Sequence, residues 1–455
     1  MKWQLIGSLI GNALEWYDYG IFGALASEVG ECFFPSTPSA QLLSTLGAFA
    51  SGFVARPLGG VLFGYIGDAH GRRPALLGAV LLMALSTLGI GLLPCSSAWG
   101  LVSPALLVCL RVAEGLSVGG ELVGGILMIV ESAPSQDRRS LYGSFMMATA
   151  SGGVVSGYIV VGLLRLAFEG SSRAAWVTLI WRLPFLLGLA VAAFALWVRR
   201  RLHESPEYAS QLAEMRLQKP PNPLALAMRN YKMAMAVAVG VVSLSSFGAW
   251  LSLWLPTYAS SLLPADRSQS RLFPLLLLPI ASLMYAVGGH IADHIGALRV
   301  MLAAAVSIAL ASPLLFFLAS LGHWLPYLLA FSLWSFLNGC YGGPLCVWLA
   351  QSFDLQVRYS AAAIAYNIAQ ALLGGTSHLI LSTILLYYPD QYVLYPALLL
   401  SAVALVSAIS CGLSGAFLSQ LQTPSGGCCQ PPCHIEGDIS LIDSSQLLDE
   451  TSKID

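Results

Sequence analysis

Twelve apolar stretches of about 20 residues each decide what this chain can fold into, because a run of that length crosses the hydrocarbon core of a bilayer as a helix. They lie at 6–29, 42–66, 75–94, 102–130, 141–166, 177–198, 233–258, 272–292, 300–320, 324–350, 361–386 and 394–418, several of them joined by very short polar turns. In lipid a backbone group has no water to bond, so each predicted span is helical. Of 455 residues, 56% are hydrophobic and 10% charged, against about a quarter charged in soluble domains. A soluble chain of this composition could not cover its own surface. The net charge of -1 leaves no basic face for nucleic acid. The first stretch holds Glu15 and Asp18 in its core, which a cleavable signal segment does not, so it reads as a retained helix.

Lysine and arginine orient the spans. With the N-terminus inside, Lys2, Arg72, Arg73, Arg138, Arg139, Arg199, Arg200, Arg201, Arg216, Lys219, Arg229, Lys232, Arg299, Arg358 and Lys453 are cytoplasmic. Arg165, Arg173, Arg267 and Arg271 fall outside with Arg182 near them, a bias of about fifteen to about five. Arg56 and Arg111 are left within the membrane, and an even number of spans returns the C-terminus inside. The longest polar interval, 199–232, divides a first bundle (1–198) from a second (233–418). An internal echo supports the division: Gly64-x-x-x-Asp68-x-x-Gly71 follows the second span and Gly289-x-x-x-Asp293-x-x-Gly296 follows the eighth. Such repeats are a common construction of secondary transporters. The tail 419–455 is polar and acidic and is expected to be disordered. The nine cysteines set out no disulfide framework: Cys32, Cys95, Cys109, Cys340, Cys346 and Cys411 scatter through apolar segments or their edges. Cys428, Cys429 and Cys433 cluster in the tail, which reads as dispensable, with metal binding or lipidation the alternatives.

Charges inside a membrane are costly and persist where they face a bundle interior or a wet cavity. Glu15 and Asp18, three apart on one helix face, are close enough that both do not ionise easily, which fits proton carriage; the alternative is that both are structural partners of arginines. Arg56, followed by Pro57, needs an anion beside it, either an internal acid or a substrate carboxylate. On the fourth span Arg111, Glu114, Val118 and Glu121 share a stripe, and Arg111 can pair with Glu114. Four acids (Glu15, Asp18, Glu114, Glu121) against two arginines leave an excess that argues for a protonated acid somewhere in a working cycle. The second half offers aromatic and amide groups instead: Trp250, Trp254 and Tyr258 on the seventh span, Trp334, Asn338, Tyr341 and Trp348 on the tenth, Asn367 and Gln370 on the eleventh. Aromatic faces could hold a quaternary ammonium, although packing explains such stripes as well. His290 and His294 lack a third ligand, so no metal is expected. No nucleophile–base set or phosphate loop appears, so no enzyme and no cofactor is expected.

Motifs in order along residues 10–390 resemble the metabolite:proton symporter family of the major facilitator superfamily, which includes proline/betaine, α-ketoglutarate and shikimate permeases. They are Gly11-Asn12-x-x-Glu15-Trp16-Tyr17-Asp18, Arg56-Pro57-Leu58-Gly59-Gly60, Gly64-x-x-x-Asp68-x-x-Gly71-Arg72-Arg73, Arg111-x-x-x-Gly115, Ser117-Val118-Gly119-Gly120-Glu121, Trp181-Arg182-x-Pro184-Phe185, Arg199-Arg200-x-Leu202-x-Glu204-x-Pro206-Glu207, Val357-Arg358-Tyr359-Ser360 and Tyr366-Asn367. The resemblance implies an all-α membrane protein of two pseudo-symmetric six-helix bundles that rock about a central site in the cytoplasmic (inner) membrane. It implies a cytoplasmic gate at Asp68, Arg72 and Arg73, to which Asp293 of the echo and Arg358 of the turn into the eleventh span are added. Ala297-Leu298 stands where the second copy would carry its basic pair, so that gate is expected to be degenerate, and the tail lacks the coiled coil of an osmosensing permease. The expected activity is proton-coupled uptake of a small carboxylate-bearing solute, a zwitterion such as proline or betaine or an organic acid such as 2-oxoglutarate, by a chain working as a monomer. A uniporter or exporter of the same fold, or a non-transporting sensor, are the alternatives. Expected proton carriers are Glu15, Asp18, Glu114 and Glu121; expected substrate contacts are Arg56, Arg111, Trp250, Asn338, Tyr341 and Asn367.

Overall fold

The computed structural model describes residues 2–34, 37–201, 203–204, 207–209, 222–262 and 273–421. Their long elements are helices: α1 (Lys2–Ala24), α2 (Pro38–Ala69), α3 (Arg72–Leu92), α4 (Val102–Glu131), α5 (Arg139–Ala167) and α6 (Leu183–Arg199) in the first half. The second half has α7 (Lys232–Leu262), α8 (Phe273–Ile295), α9 (Ala297–Ser320), α10 (Trp324–Gln351), α11 and α12 (Leu394–Leu421). Helix α11 runs Arg358–Ala369, widens into a π turn at Gln370–Gly374 and resumes over Gly375–Tyr387. Nine stretches among the described residues are long and apolar enough to span a bilayer. The remaining three long helices, α1, α8 and α10, complete the twelve. Arg216, Lys219, Arg267, Arg271, Lys453 and the tail cysteines Cys428, Cys429 and Cys433 lie outside the described residues.

Glycine sets how closely the helices approach. A Cβ on Gly115 of α4 would overlap the Gly52 carbonyl of α2, and one on Gly59 of α2 would overlap the Leu116 carbonyl of α4, so these helices pack backbone to backbone. The second half repeats the device: a Cβ on Gly288 of α8 would overlap the Gly339 carbonyl of α10. Between the halves, α5 packs on α8 and α2 on α11. We call the end that carries Asp68, Asp293 and Arg199 the linker end, and the opposite end the far end.

Two sequence expectations need correction. Cys32 and Cys95 form a disulfide at the far end, with their Cα atoms 4.8 Å apart. Their separation of 63 positions in sequence hid the pairing, which arises because the connections α1–α2 and α3–α4 fold back to the same place. Arg199, read as a loop charge beside Arg200 and Arg201, closes α6 and is fully buried. Gly11 makes that possible, since a Cβ there would strike the Arg199 guanidinium.

Candidate functional site

Buried charge concentrates in the first half, in three groups besides the Asp68–Arg72–Glu131 set at the linker end. At mid-depth Glu15 of α1 faces Arg56 of α2 across 3.8 Å, and both side chains are 0% exposed. Neither Glu15 oxygen has a hydrogen-bond partner, nor do the two terminal nitrogens of Arg56. Arg56 Nε donates to Asn367 Oδ1 of α11 at 3.2 Å. Donors and acceptors left unmade in a dry interior are costly, and here they adjoin the seam between the halves.

The second group surrounds Arg111 of α4. Its Nη1 lies 2.8 Å from Asp18 Oδ2 and 2.6 Å from Glu114 Oε2, and its guanidinium stacks 3.7 Å from the Phe22 ring centre. Thr87 of α3 reaches both acids, 3.4 Å from Asp18 Oδ1 and 3.2 Å from Glu114 Oε1. Arg111, proposed from sequence as a substrate contact, is thus already engaged by two carboxylates. In the third group Arg199 Nη1 donates to Glu121 Oε2 at 2.6 Å, Nη2 donates to the other oxygen, and the same guanidinium serves the Gly7 and Leu76 carbonyls. The sequence count of four acids against two arginines therefore becomes four against three, and the surplus acid sits with Arg111.

Toward the far end from Arg56, the aromatic residues cluster. Trp16 and Tyr19 of α1, Phe49 and Phe53 of α2 and Trp250 of α7 pack with ring centres 5.1–6.2 Å apart around Trp250. The Arg56 guanidinium stands 5.5 Å from the Phe53 centre. Trp250 is the second half's contribution, and its Nε1, like that of Trp16, has no hydrogen-bond partner. The sequence stripe on α7 divides here. Trp254 and Tyr258 stack on each other at 5.1 Å inside the second half, where Trp254 Nε1 donates to Ser382. Tyr341 also turns inward, its hydroxyl donating to the Val241 carbonyl at 2.5 Å. Asn338 donates to the Tyr285 hydroxyl at 2.9 Å and keeps a free Oδ1. Trp334 donates to Ser252, and Gln370 donates to the Tyr366 hydroxyl with its Oε1 unpartnered. Trp348 is buried, and His290 and His294 are partner rings 4.8 Å apart on the exposed face of α8.

At the linker end the two glycine–aspartate turns make the same contact with opposite halves. Asp68 of α2 accepts the backbone N–H groups of Tyr359 and Ser360, at 3.1 and 2.7 Å, at the start of α11. Asp293 of α8 accepts those of Ser140 and Leu141, at 2.8 and 3.1 Å, at the start of α5. Each carboxylate thus caps a helix N-terminus of the other half, where free N–H groups and the helix dipole attract negative charge. Gly71 and Gly296 end the two turns with φ of 119° and 101°, a region open to glycine. Around Asp68 a network grows. Arg72 donates to Asp68 at 2.6 Å and Glu131 at 3.4 Å, and Arg358 meets Glu131 at 3.2 Å and Glu207 at 3.0 Å. Glu207 also takes Arg139, while Arg73 reaches the Arg200 carbonyl at 2.8 Å. Glu204 accepts from the Arg72 and Arg73 N–H groups, and Tyr208 donates to the Asp68 carbonyl. Burial raises the Tyr208 hydroxyl above its ordinary range.

Sequence reasoning missed Thr87, Glu131, Tyr208 and the buried role of Arg199. The last had a signal: Glu121 sits mid-helix in an apolar run and needs a cation, and the nearest unassigned ones end α6. Thr87 had none, since a threonine in a span usually bonds its own helix.

The Major Facilitator Superfamily matches residues 8–376. A protein of Staphylococcus aureus (strain COL), provisionally named a proline/betaine transporter, is 31% identical over 407 residues, covering 89% of this chain and 86% of its own length. The Proline/betaine transporter of Escherichia coli (strain K12) is 30% identical over 420 residues, covering 90% and 82%. Among solved structures, the proton:xylose symporter XylE bound to 6-bromo-6-deoxy-D-glucose superposes with a TM-score of 0.70 over 92% of this chain and 95% of that one. At 18% identity that likeness speaks for the fold. Twelve long helices, mirrored turns and this span of matches lead to one conclusion: the chain belongs to the Major Facilitator Superfamily, as a multi-pass transporter of the cytoplasmic membrane.

Proposed function

We propose that the protein takes up a compact zwitterion of the proline or betaine kind together with a proton, with Arg56 holding the solute carboxylate and Glu15 carrying the proton. The main support is the Glu15–Arg56 pair, wholly buried and short of hydrogen bonds on both sides. An ionised Glu15 neutralises Arg56. A protonated Glu15 leaves the guanidinium in need of another anion, which a solute carboxylate supplies, bidentate where geometry allows. Proton and solute then bind together because the solute carboxylate takes over beside the guanidinium the negative charge that protonation removes from Glu15. The aromatic faces beside Arg56 suit the cationic end of the solute. A dicarboxylate such as 2-oxoglutarate fits less well, since Arg111 already faces Asp18 and Glu114. The Asp18–Glu114 group, with one acid to spare, is a further proton store in this reading.

The linker end is the cytoplasmic one in this proposal, following the lysine and arginine bias. The halves 1–198 and 233–418 move against each other in a single chain, joined by 199–232 and trailed by 419–455. The test is uptake of labelled proline, glycine betaine and 2-oxoglutarate by vesicles reconstituted with purified protein. An inward proton gradient should speed uptake of a zwitterion, and a protonophore should abolish the gain. Uptake indifferent to both treatments rejects proton coupling and favours a uniporter, and binding without uptake favours a sensor. Arg56→Lys keeps the charge and loses the planar fork, so it should weaken solute affinity at normal thermal stability. Unchanged affinity would remove Arg56 from the solute site.

A further inference from the structure

Asn367 was expected to touch the solute, yet its polar atoms are spent elsewhere. An asparagine side chain has two N–H donors and one carbonyl oxygen. Here Nδ2 donates to the Gly119 carbonyl of α4 at 2.6 Å and the Ala363 carbonyl of its own helix at 2.8 Å. Oδ1 accepts Arg56 Nε at 3.2 Å. The residue is 1% exposed, and the backbone of α11 comes so near α2 that a Cβ on Gly60 would lie 2.9 Å from the Ala363 carbonyl. A solute contact would require giving up one of these bonds.

We propose that Asn367 is a positioning residue: from the second half it fixes the Arg56 guanidinium of the first half in its solute-ready orientation, and it lets go when the linker end opens. The inference rests on the reading of Arg56 as the carboxylate anchor. Its second support is the helix that carries Asn367. Arg358–Ala369 is one unbroken α-helical rod. Its first turn supplies the N–H groups that Asp68 holds, and Asn367 stands about 10 Å further along. Directly beyond, the π turn at Gln370–Gly374 separates the rod from the rest of α11. Opening the linker end means pulling Tyr359 and Ser360 off Asp68. The same displacement of a rigid rod draws Asn367 off Arg56. Gate release and loosening of the solute grip are then one movement. Glu15, on α1, is the acid facing Arg56 on the other side, and it recaptures the guanidinium once Asn367 has left.

The experiment is a double-mutant cycle on the full-length purified protein: parent, Asn367→Ser, Arg56→Lys and the double variant. Serine can still bond the Ala363 carbonyl one turn back, which protects the helix, and Asn367→Ala serves as a second variant. Two quantities are read: affinity for labelled proline and glycine betaine, and the alkylation rate of native Cys346. That thiol is buried where α10 meets Gly143 of α5, so it reports separation of the halves. Asn367→Ser should weaken affinity about tenfold, the loss of one bond to a charged group, and should raise the Cys346 rate. In the Arg56→Lys background the same change should cost less than about twofold, and the two rate increases should fall short of their product. Equal losses in both backgrounds, or multiplying rate increases, overturn the proposal. If neither solute binds the parent, or Arg56→Lys leaves affinity intact, the functional reading fails, and the Cys346 rates alone decide this inference.

Discussion

Asp68 and Asp293 occupy equivalent turns and make equivalent bonds, yet their surroundings differ. Both lie in the last turn of the second helix of their half, both are closed by a positive-φ glycine and both cap a helix of the opposite half with two backbone N–H bonds. Asp68 is buried among Arg72, Glu131, Arg358, Glu204 and Tyr208. Asp293 is partly exposed, with Ala297 where Arg72 would stand. The cross-half cap therefore needs only a carboxylate, a turn and a helix start; the arginines add a second layer at one of the two places. Although the second turn lacks the basic pair, its cap is intact.

That contrast can be broken by substitution. The largest effect is expected for Asp68→Ala, which strips two cross-half bonds and takes from buried Arg72 the nearer of its two carboxylates, a loss of about 3–5 kcal/mol. Thermal unfolding and vesicle uptake should both fall sharply. Glu131→Gln keeps the shape and removes the charge that Arg72 and Arg358 share, so roughly 2 kcal/mol is expected from the same unfolding measurement. Asp293→Ala removes a cap with no ion-pair network behind it among the described residues, for about 1 kcal/mol. If it proves as damaging as Asp68→Ala, the two-layer account is wrong. Smallest is Ala297→Arg, within about 0.5 kcal/mol. Adding Gln351→Glu, at the end of α10 where Glu131 ends α4, should return less than about 1 kcal/mol for an exposed pair. A larger gain would mean that the second gate can be completed from sequence alone.

Much of this was legible before any coordinates. Charges isolated in apolar runs pointed to Glu15, Arg56, Arg111 and Glu114, because lipid penalises them wherever they lack a purpose. The repeated glycine–aspartate turn marked Asp68 and Asp293, but not the helix starts of the opposite half that they cap. Other features depended on which face a helix turns to which neighbour. Trp250, Trp254 and Tyr258 are spaced by four, but each step of four drifts about 40° round a helix. The drift carries the first toward the other half and the last two into their own core. Arg199 looked like the first of three loop arginines, and only the bare backbone at Gly11 lets it turn inward. Tyr341 and Asn367 were recognised as polar groups in spans, but which bonds they had already made was invisible.

The backbone-to-backbone seam between α2 and α4 has a mechanical consequence. Where helices meet without side chains there are no rotamers to absorb a push, so displacement passes along undiminished. Arg56 and Asp68 ride on α2 twelve residues apart, about 18 Å along its axis. Held against α4 by Gly52, Gly59, Gly115 and Gly119, that helix behaves as a stiff lever, and a tilt begun at Asp68 reaches Arg56 as rotation rather than dying out as local rearrangement.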